Sequence, residues 1–338
     1  MEGLDGLDFM ENETSPQMFH LLPFSTREAD KPFLFVLFLL IYLTGMLVNS
    51  FIILVILFDN HLHTPMYLFL CNLSLIDLCY TTSTSPKLLN MILTGNYTIS
   101  FIQCFIQLGF YWAAGSIEDI LLFAMACDRY VAICQPLHYH RVFNRNHCIQ
   151  ITAAIWILGC SNSIMTTITA SKIHFCPSNI ISQYLCDAKS IMKISCANTE
   201  VLLIEIYIEI LLLAVCPFIC ILLSYVKIVC VILNIKSKEG RRKAFSTCSS
   251  HLTVLILFYG TSVSVYVMPL SLHYKVMEQV LTVLYTAVTP ALNPLIYCLQ
   301  NKDVKTAVLR FLGGKANKPP RQVRTHPIHG RGFPASPG

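Results

Sequence analysis

Charged side chains are scarce in this sequence: Asp, Glu, Lys and Arg make up 13% of its 338 residues, while hydrophobic residues reach 54%. Soluble domains usually carry about twice that charged fraction. So little charge excludes an ordinary soluble protein and predicts a chain embedded in membrane lipid. The net charge of +5 does not point to nucleic acid as a partner, because there is no folded basic domain to bind it.

Catalytic motifs are missing as well. The sequence has no H-E-x-x-H zinc motif, no Walker phosphate loop and no G-x-S-x-G nucleophile elbow. No repeat relates the two halves of the chain, which weighs against transporters that are built from inverted repeats. We therefore expect a protein that is not an enzyme and that has no organic cofactor.

Long apolar runs dominate what is present. A helix needs about 20 apolar residues to cross roughly 30 Å of hydrocarbon. Seven runs reach that length, at 32–58, 66–90, 101–127, 149–170, 200–233, 244–270 and 276–299, although hydropathy alone also allows six or eight. We predict an all-α membrane protein: a seven-transmembrane helix bundle at 32–300, an extracellular tail at 1–31, and a cytoplasmic tail at 301–338 that is largely disordered after 314.

The distribution of Lys and Arg predicts the orientation. With the N-terminus outside, most of the 24 basic residues fall on the cytoplasmic side, as the positive-inside rule requires. The C-terminus is then cytoplasmic. Asn12, in the sequon "NET", lies on the outward tail and is a predicted glycosylation site. Asn96, in "NYT", lies closer to the membrane, and the sequence leaves its glycosylation open.

Most of the 15 cysteines lie inside predicted helices, where a thiol acts as a small hydrophobic group. Four map to the outer side: Cys104, Cys176, Cys186 and Cys196. The oxidising exterior favours disulfides between them. Four cysteines allow three pairings, and their spacing does not choose among these.

The third run ends in an acid and a base. At about 1.5 Å per residue, the helix from Cys104 to Asp128 is roughly 36 Å long and crosses the bilayer. Asp128 and Arg129 therefore lie at the cytoplasmic edge. There the pair could hold Arg129 against neighbouring helices and release it to a cytoplasmic partner. The simpler alternative is a charged side chain that reaches from the helix end into water.

Several ordered motifs carry a family resemblance. They are "LHTPMYLFLCNLSLID" at 62–77, "MACDRYVAIC" at 125–134, "SY" at 224–225, "KAFSTCSSHL" at 243–252, "FYG" at 258–260 and "PALNPLIYCLQN" at 290–301. Over about 45–305, the sequence resembles the olfactory receptors of the rhodopsin-like G-protein-coupled receptor family.

The resemblance implies a plasma-membrane receptor that binds small odorants in the outer half of its bundle. Such receptors activate a stimulatory heterotrimeric G protein, which raises cyclic AMP. The implied disulfides are Cys104–Cys186 and Cys176–Cys196. The implied switch and coupling residues are Asp128, Arg129, Tyr130, Tyr225, Arg241, Arg242, Lys243, Asn293, Pro294 and Tyr297. Positive-inside topology explains the basic stretch at 241–243 equally well. Gln300 stands where the family usually has Arg, which leaves the strength of coupling open.

The resemblance also implies a set of ligand contacts: Leu108, Tyr111, Trp112, Gly115, Ser116, Ile206, Glu209, Ile210, Tyr259, Ser262, Val263 and Tyr266. By spacing alone, such apolar stripes are more often helix packing. Apolar and aromatic walls with a few polar groups would suit a small volatile ligand.

Acids at membrane depth are costly and are usually paired or functional. By resemblance, Asp77 and Glu118 lie close together and could share a sodium ion or, alternatively, a proton. Glu205 and Glu209 share one helical face, and Asp119 is a further unusual acid. Either a carboxylate in the pocket favours amines or hydrogen-bond donors, or Glu205 lies at the lipid headgroups and Glu209 is paired within the bundle. As a different function, an ion channel or transporter would use these intramembrane acids as an ion path.

Overall fold

Long helices form most of the computed structural model, which describes residues 18–24, 27–176, 179–267 and 275–313. The helices are α1 (Lys31–Phe58), α2 (Pro65–Thr94), α3 (Phe101–Cys134), α4 (Tyr139–Val142), α5 (Arg145–Ser171), α6 (Ala188–Lys193), α7 (Glu200–Glu209), α8 (Cys216–Leu233), α9 (Lys238–Val267), α10 (Lys275–Val283), α11 (Thr289–Gln300) and α12 (Lys302–Leu312). Two π-helical turns, Ile210–Val215 and Leu284–Val288, join α7 to α8 and α10 to α11.

Local sequence signals explain several helix boundaries. α2 begins with Pro65, at a position where the N–H that proline lacks would have no partner within the helix. It ends at Gly95, whose φ of 69° is a left-handed conformation that favours glycine. α3 begins with a capping box, in which the Ser100 side chain accepts from the backbone N–H of Gln103 and the Gln103 side chain accepts from the backbone N–H of Ser100.

Helices long and apolar enough to cross a membrane are numerous in the described part of the chain. Five qualify by length and composition: Glu28–Phe58, Arg145–Ser171, Glu200–Leu233, Lys238–Val265 and Val276–Gln300. A sixth is added if Phe101–Cys134 and Pro136–Val142, which meet at a bend of 115°, are counted as one span. The outward-facing side chains of these helices are large and apolar, for example Leu47 and Leu203. Such a surface is suited to lipid.

α2 is 30 residues long but is not among these candidates. Its polar residues explain the difference, because Ser74, Asp77, Thr81 and Thr84 are all buried against neighbouring helices. α2 contacts α1 and α3, and α3 in turn contacts α5, α8 and α9. The polar face of α2 therefore belongs to the interior of the bundle, with α3 at its centre.

A small three-stranded sheet covers one end of the bundle, which we call the sheet end. The strand order is β2 (Thr98–Ser100), β1 (Met18–Leu21), β3 (Ile180–Ile181), and β1 is antiparallel to β2 and parallel to β3. The disulfides Cys104–Cys186 and Cys176–Cys196 lie at this end, with Cα–Cα distances of 5.4 and 5.0 Å. The opposite end of α3 carries Arg129, and we call it the Arg129 end.

The segment after α5 closes the sheet end. The backbone N–H of Cys186 donates to Gln107 Oε1 of α3 over 2.9 Å, and Tyr184 is hydrogen-bonded to Thr286 over 2.9 Å. Lys189 of α6 forms an ion pair with Glu278 of α10 at 3.2 Å. These contacts hold the segment across the sheet end of the bundle. In the C-terminal tail, residues 302–312 form α12, and the segment for which disorder was expected lies beyond the described residues.

Candidate functional site

A cavity of about 290 Å³ lies between the helices, alongside the part of α3 that separates Cys104 from Asp128. α2, α3, α7, α8, α9 and both π-helical turns contribute to its wall. The lining residues are Tyr80, Tyr111, Trp112, Gly115, Ser116, Asp119, Glu209, Ile210, Leu213, Ala214, Val215, Phe218, Tyr259, Ser262, Val263 and Tyr285. The wall is thus mainly apolar and aromatic, with a few polar groups, as in small-molecule binding sites.

Nine of the residues that the resemblance implied as ligand contacts line this cavity: Tyr111, Trp112, Gly115, Ser116, Glu209, Ile210, Tyr259, Ser262 and Val263. Leu108 and Ile206 do not line it. Each lies one helical turn from a lining residue, Trp112 and Ile210 respectively, but is buried in the packed core instead. The side chain of Tyr266 lies outside the described residues.

Seven lining residues were not expected: Tyr80, Asp119, Leu213, Ala214, Val215, Phe218 and Tyr285. Three of them, 213–215, belong to the π-helical turn before α8, and Tyr285 belongs to the turn before α11. A π turn changes which side chains face inward, and regular helical spacing does not reveal it. Asp119 was recognisable in the sequence as an acid in an apolar helix, although not as part of the site.

Two acids face the cavity in different hydrogen-bonding states. Glu209 accepts from Trp112 Nε1 at 2.6 Å and from Ser116 Oγ at 2.9 Å, one donor to each carboxylate oxygen. It is therefore both paired within the bundle and part of the cavity wall. Asp119 Oδ1 is buried and has no hydrogen-bond partner. Glu205 lies outside the lining and accepts from Thr166 Oγ1 at 3.1 Å.

A second pair of acids meets deeper in the bundle. Asn293 Nδ2 donates to both oxygens of Asp77, at 3.2 and 3.3 Å, and to Glu118 Oε1 at 3.3 Å. Asn293 Oδ1 is buried without a partner. Within the described chain, no group of three or more His, Cys, Asp or Glu side chains is arranged to hold a metal. Two carboxylates and a free amide oxygen do, however, supply the oxygen ligands that a hard cation prefers.

Asp128 and Arg129 form a pair at the Arg129 end. Arg129 Nε and Nη2 donate to Asp128 Oδ2 at 2.9 and 2.5 Å, and Tyr139 Oη donates to Asp128 Oδ1 at 2.8 Å. The Asp128 side chain is fully buried and that of Arg129 is 12% exposed. This geometry differs from that of a charged side chain reaching into water, because both partners are held inside the protein.

The other implied switch residues lie on several helices. Tyr225 Oη is hydrogen-bonded to His251 Nδ1 at 2.7 Å, and Tyr297 is fully buried. Pro294 lies within α11, and Tyr130 is partly buried. Arg241 and Arg242 are exposed beside Gln300 in a shallow groove between α8, α9 and α11, whereas the side chain of Lys243 lies outside the described residues. Asn12, the predicted glycosylation site, also lies outside them, and Asn96 is exposed.

The fold and the cavity together define a class of protein: a helical membrane bundle with a ligand-sized internal cavity and a buried acid–base pair at the far end of its central helix. Comparison with known proteins identifies the family within this class. A sequence model of the olfactory receptor family matches residues 38–315. The chain belongs to the olfactory receptor family of G-protein-coupled receptors. It is accordingly a multi-pass membrane protein and not an enzyme.

Individual relatives match along nearly their whole length. Olfactory receptor 1M1 of Homo sapiens is 43% identical over 304 residues, which cover 90% of this chain and 97% of the relative. Olfactory receptor 1M1 of Mus musculus is 43% identical over 305 residues, with the same coverage. Olfactory receptor 1 of Rattus norvegicus is 42% identical over 300 residues, covering 89% of this chain and 96% of the relative.

Proposed function

We propose that the protein is an odorant receptor of the plasma membrane with seven transmembrane helices, the sheet end outside and the C-terminus cytoplasmic. α2 and α3 complete the set of spans, because α2 buries its polar side chains within the bundle. The two disulfides at the sheet end support an extracellular location, where thiols oxidise. The domain boundaries are then an outer tail at 1–31, the receptor bundle at 32–300 and a cytoplasmic tail at 301–338.

The odorant binds in the cavity, in the outer half of the bundle. One observation carries this proposal: the same helix, α3, lines the cavity and ends in the buried Asp128–Arg129 pair. An agonist that fits the cavity better in the active state shifts the receptor towards that state. Arg129 then leaves Asp128, the cytoplasmic ends of α3 and α9 separate, and a stimulatory G protein engages the exposed surface. Arg241, Arg242 and Lys243 border that surface, and cyclic AMP rises.

Asp77 and Glu118 hold a sodium ion together with Asn293 in the resting receptor. Support comes from the convergence of both carboxylates on Asn293 and from the unpartnered Asn293 Oδ1. Two adjacent buried carboxylates without a cation would repel each other unless one is protonated. The ion supplies the positive charge that the described residues around this pair do not.

The decisive experiment measures cyclic AMP in cells that display the receptor, over a broad odorant panel, with Arg129→Ala beside the parent. We expect at least one odorant to raise cyclic AMP in the parent and none to do so in Arg129→Ala at equal surface display. Ligand-dependent ion flux that persists in cells lacking the G protein would contradict the proposal. That result would favour the channel or transporter alternative.

A further inference from the structure

Aromatic rings make up much of the cavity wall. Six rings line it: Tyr80, Tyr111, Trp112, Phe218, Tyr259 and Tyr285. Tyr80 lies in edge contact with Tyr111 and Tyr285, with ring centroids 5.4 and 5.6 Å away, and Phe218 packs on Tyr259 at 4.7 Å. Aromatic faces carry negative electrostatic potential and attract cations within about 6 Å. Such a wall favours a ligand that is both apolar and positively charged.

The charged residues in the cavity wall also favour a positively charged ligand. Asp119 and Glu209 both line the cavity, and none of the described lining residues is Lys, Arg or His. A carboxylate in an apolar interior is costly unless a counter-charge or hydrogen-bond donors compensate it. Glu209 is compensated in part by the Trp112 and Ser116 donors, but Asp119 Oδ1 has none.

Tyr259 supplies a second unused polar group at the same place. Its side chain is 8% exposed, and its hydroxyl has no hydrogen-bond partner. Asp119, which lines the same cavity, is the charged neighbour of this hydroxyl. Buried polar groups are almost always paired, so two unpaired groups on one cavity wall indicate a site for a ligand that pairs with both.

We propose that the natural ligand is a small organic ammonium ion whose charged nitrogen binds between Asp119 and Tyr259 and whose apolar part packs among the aromatic rings. This inference rests on the proposed function, because it specifies the ligand class of that same cavity. The ammonium N–H groups donate to Asp119 Oδ1 and to the Tyr259 hydroxyl. Glu209 adds a second negative charge across the cavity. The volume of about 290 Å³ lies just below the range of about 300–1,000 Å³ for ligand pockets and selects small amines.

The test compares amines with alcohols of the same shape. The melting temperature of the purified receptor is measured with two matched pairs of ligands. The first pair is 2-phenylethylamine and 2-phenylethanol, and the second is cyclohexylamine and cyclohexanol. A ligand that binds the folded state raises the melting temperature. We expect stabilisation by at least one amine at concentrations at least about tenfold below those its alcohol requires, because only the amine forms the buried ion pair.

The variants assign that preference to particular residues. Asp119→Asn keeps the shape of the side chain and should weaken amine binding by at least about tenfold, leaving alcohol binding within about twofold. Tyr259→Phe should weaken amine binding less than Asp119→Asn does, because Tyr259→Phe removes a neutral hydrogen-bond partner. Glu205→Gln is the matched control: it lies four residues before Glu209 but outside the cavity, and should leave amine binding unchanged.

The outcomes separate this inference from the proposed function. Stabilisation by amines that depends on Asp119, in a receptor that never raises cyclic AMP, would support the amine site and overturn the signalling proposal. Cyclic AMP responses to neutral odorants, with no amine preference in the melting assay, would leave the receptor function standing and overturn the amine site. A folded receptor that none of the amines stabilises would also overturn it, as would an amine preference that survives in Asp119→Asn.

Discussion

Tyr139 donates a hydrogen bond to Asp128 Oδ1 over 2.8 Å, while Arg129 occupies the other oxygen of the same carboxylate. Tyr139 lies in α4, beyond the sharp bend that ends α3. The short helix after the bend therefore helps to hold the Asp128–Arg129 pair. In the proposed mechanism, any change that weakens this contact favours release of Arg129.

We expect Tyr139→Phe to raise cyclic AMP in the absence of odorant by about two- to tenfold. A hydrogen bond to a charged group contributes about 1.5–3 kcal/mol, and water replaces part of it. The measurement is basal cyclic AMP at matched surface display. Tyr207→Phe, at a mostly exposed tyrosine of α7, is the control and should stay at the parent level. Basal activity in Tyr139→Phe equal to that of the control would show that this contact does not restrain the receptor.

Gly159 tests the packing of α5 on α3. A Cβ at this position would collide with Ile117 Cγ1, which is not the free end of a side chain. We expect Gly159→Ala to destabilise the purified receptor by about 1–3 kcal/mol through overpacking. Gly260→Ala is the matched control, because no atom lies within 4 Å of its new Cβ. Thermal melting of the two variants in the same detergent distinguishes them.

A double variant checks the cause. Ile117→Ala removes the colliding atom. This substitution should therefore lower the free energy of unfolding less in the Gly159→Ala background than in the parent. An equal loss of unfolding free energy in both backgrounds would mean that the two side chains do not compete for this space.

The two disulfides should differ in importance. Cys104–Cys186 closes 82 residues and Cys176–Cys196 closes 20. By chain entropy, the first stabilises the fold by about 4.5 kcal/mol and the second by about 3.3 kcal/mol. We expect the double change Cys104→Ser with Cys186→Ser to reduce surface display more than Cys176→Ser with Cys196→Ser. Flow cytometry on unpermeabilised cells measures this, and the reverse order would contradict the prediction.

Asp59 makes a pH-dependent contact between the α1–α2 loop and α12. Its Oδ2 pairs with Arg310 at 2.9 Å, and its Oδ1 accepts from the backbone N–H and ring of His61 at 3.0 and 2.9 Å. Burial raises the pKa of Asp59, but the His61 hydrogen bonds and the Arg310 charge outweigh it, so the pKa lies below its ordinary value of 3.8.

A carboxylate with a depressed pKa stabilises the folded state above its unfolded pKa and loses that effect as pH falls through the lowered value. We therefore expect Asp59→Asn to melt at a lower temperature than the parent at pH 6, with the gap closing below about pH 4. Glu239→Gln, at an exposed acid of α9, should show no gap at pH 6. If the difference in melting temperature between Asp59→Asn and the parent stays constant down to pH 3, the ionised Asp59 carboxylate is not what stabilises the fold.

Sodium should stabilise the receptor through Asp77 and Glu118. The parent should melt at a higher temperature in sodium chloride than in choline chloride at equal concentration, and Glu118→Gln should lose most of that difference. Melting temperatures that depend on pH but are the same in both salts would instead show that the two carboxylates share a proton.

Much of this architecture follows from the sequence. Membrane helices satisfy their own backbone hydrogen bonds, so hydrophobic runs translate directly into helices. The run at 32–58 and α1, for example, differ by one residue at the start. The position of Asp128 and Arg129 at the end of α3 follows from helical rise in the same way. The nine cavity residues came from the family resemblance, since spacing alone favoured packing.

Other features required the tertiary structure. The π-helical turns at 210–215 and 284–288 turn Val215 and Tyr285 towards the cavity, while Leu108 and Ile206 pack away from it. The meeting of Asp77, Glu118 and Asn293 joins side chains from three helices. Neither follows from the spacing of residues along one helix.

The sequence by itself determined that this chain is a helical membrane protein and which family it belongs to, because hydropathy and motifs are properties of consecutive residues. Only the tertiary structure decided which carboxylate oxygens meet hydrogen-bond donors. Glu209 finds donors on α3, whereas Asp119 Oδ1 finds none. Whether a buried charge is compensated depends on side chains that are distant in the chain and come together only when the helices pack.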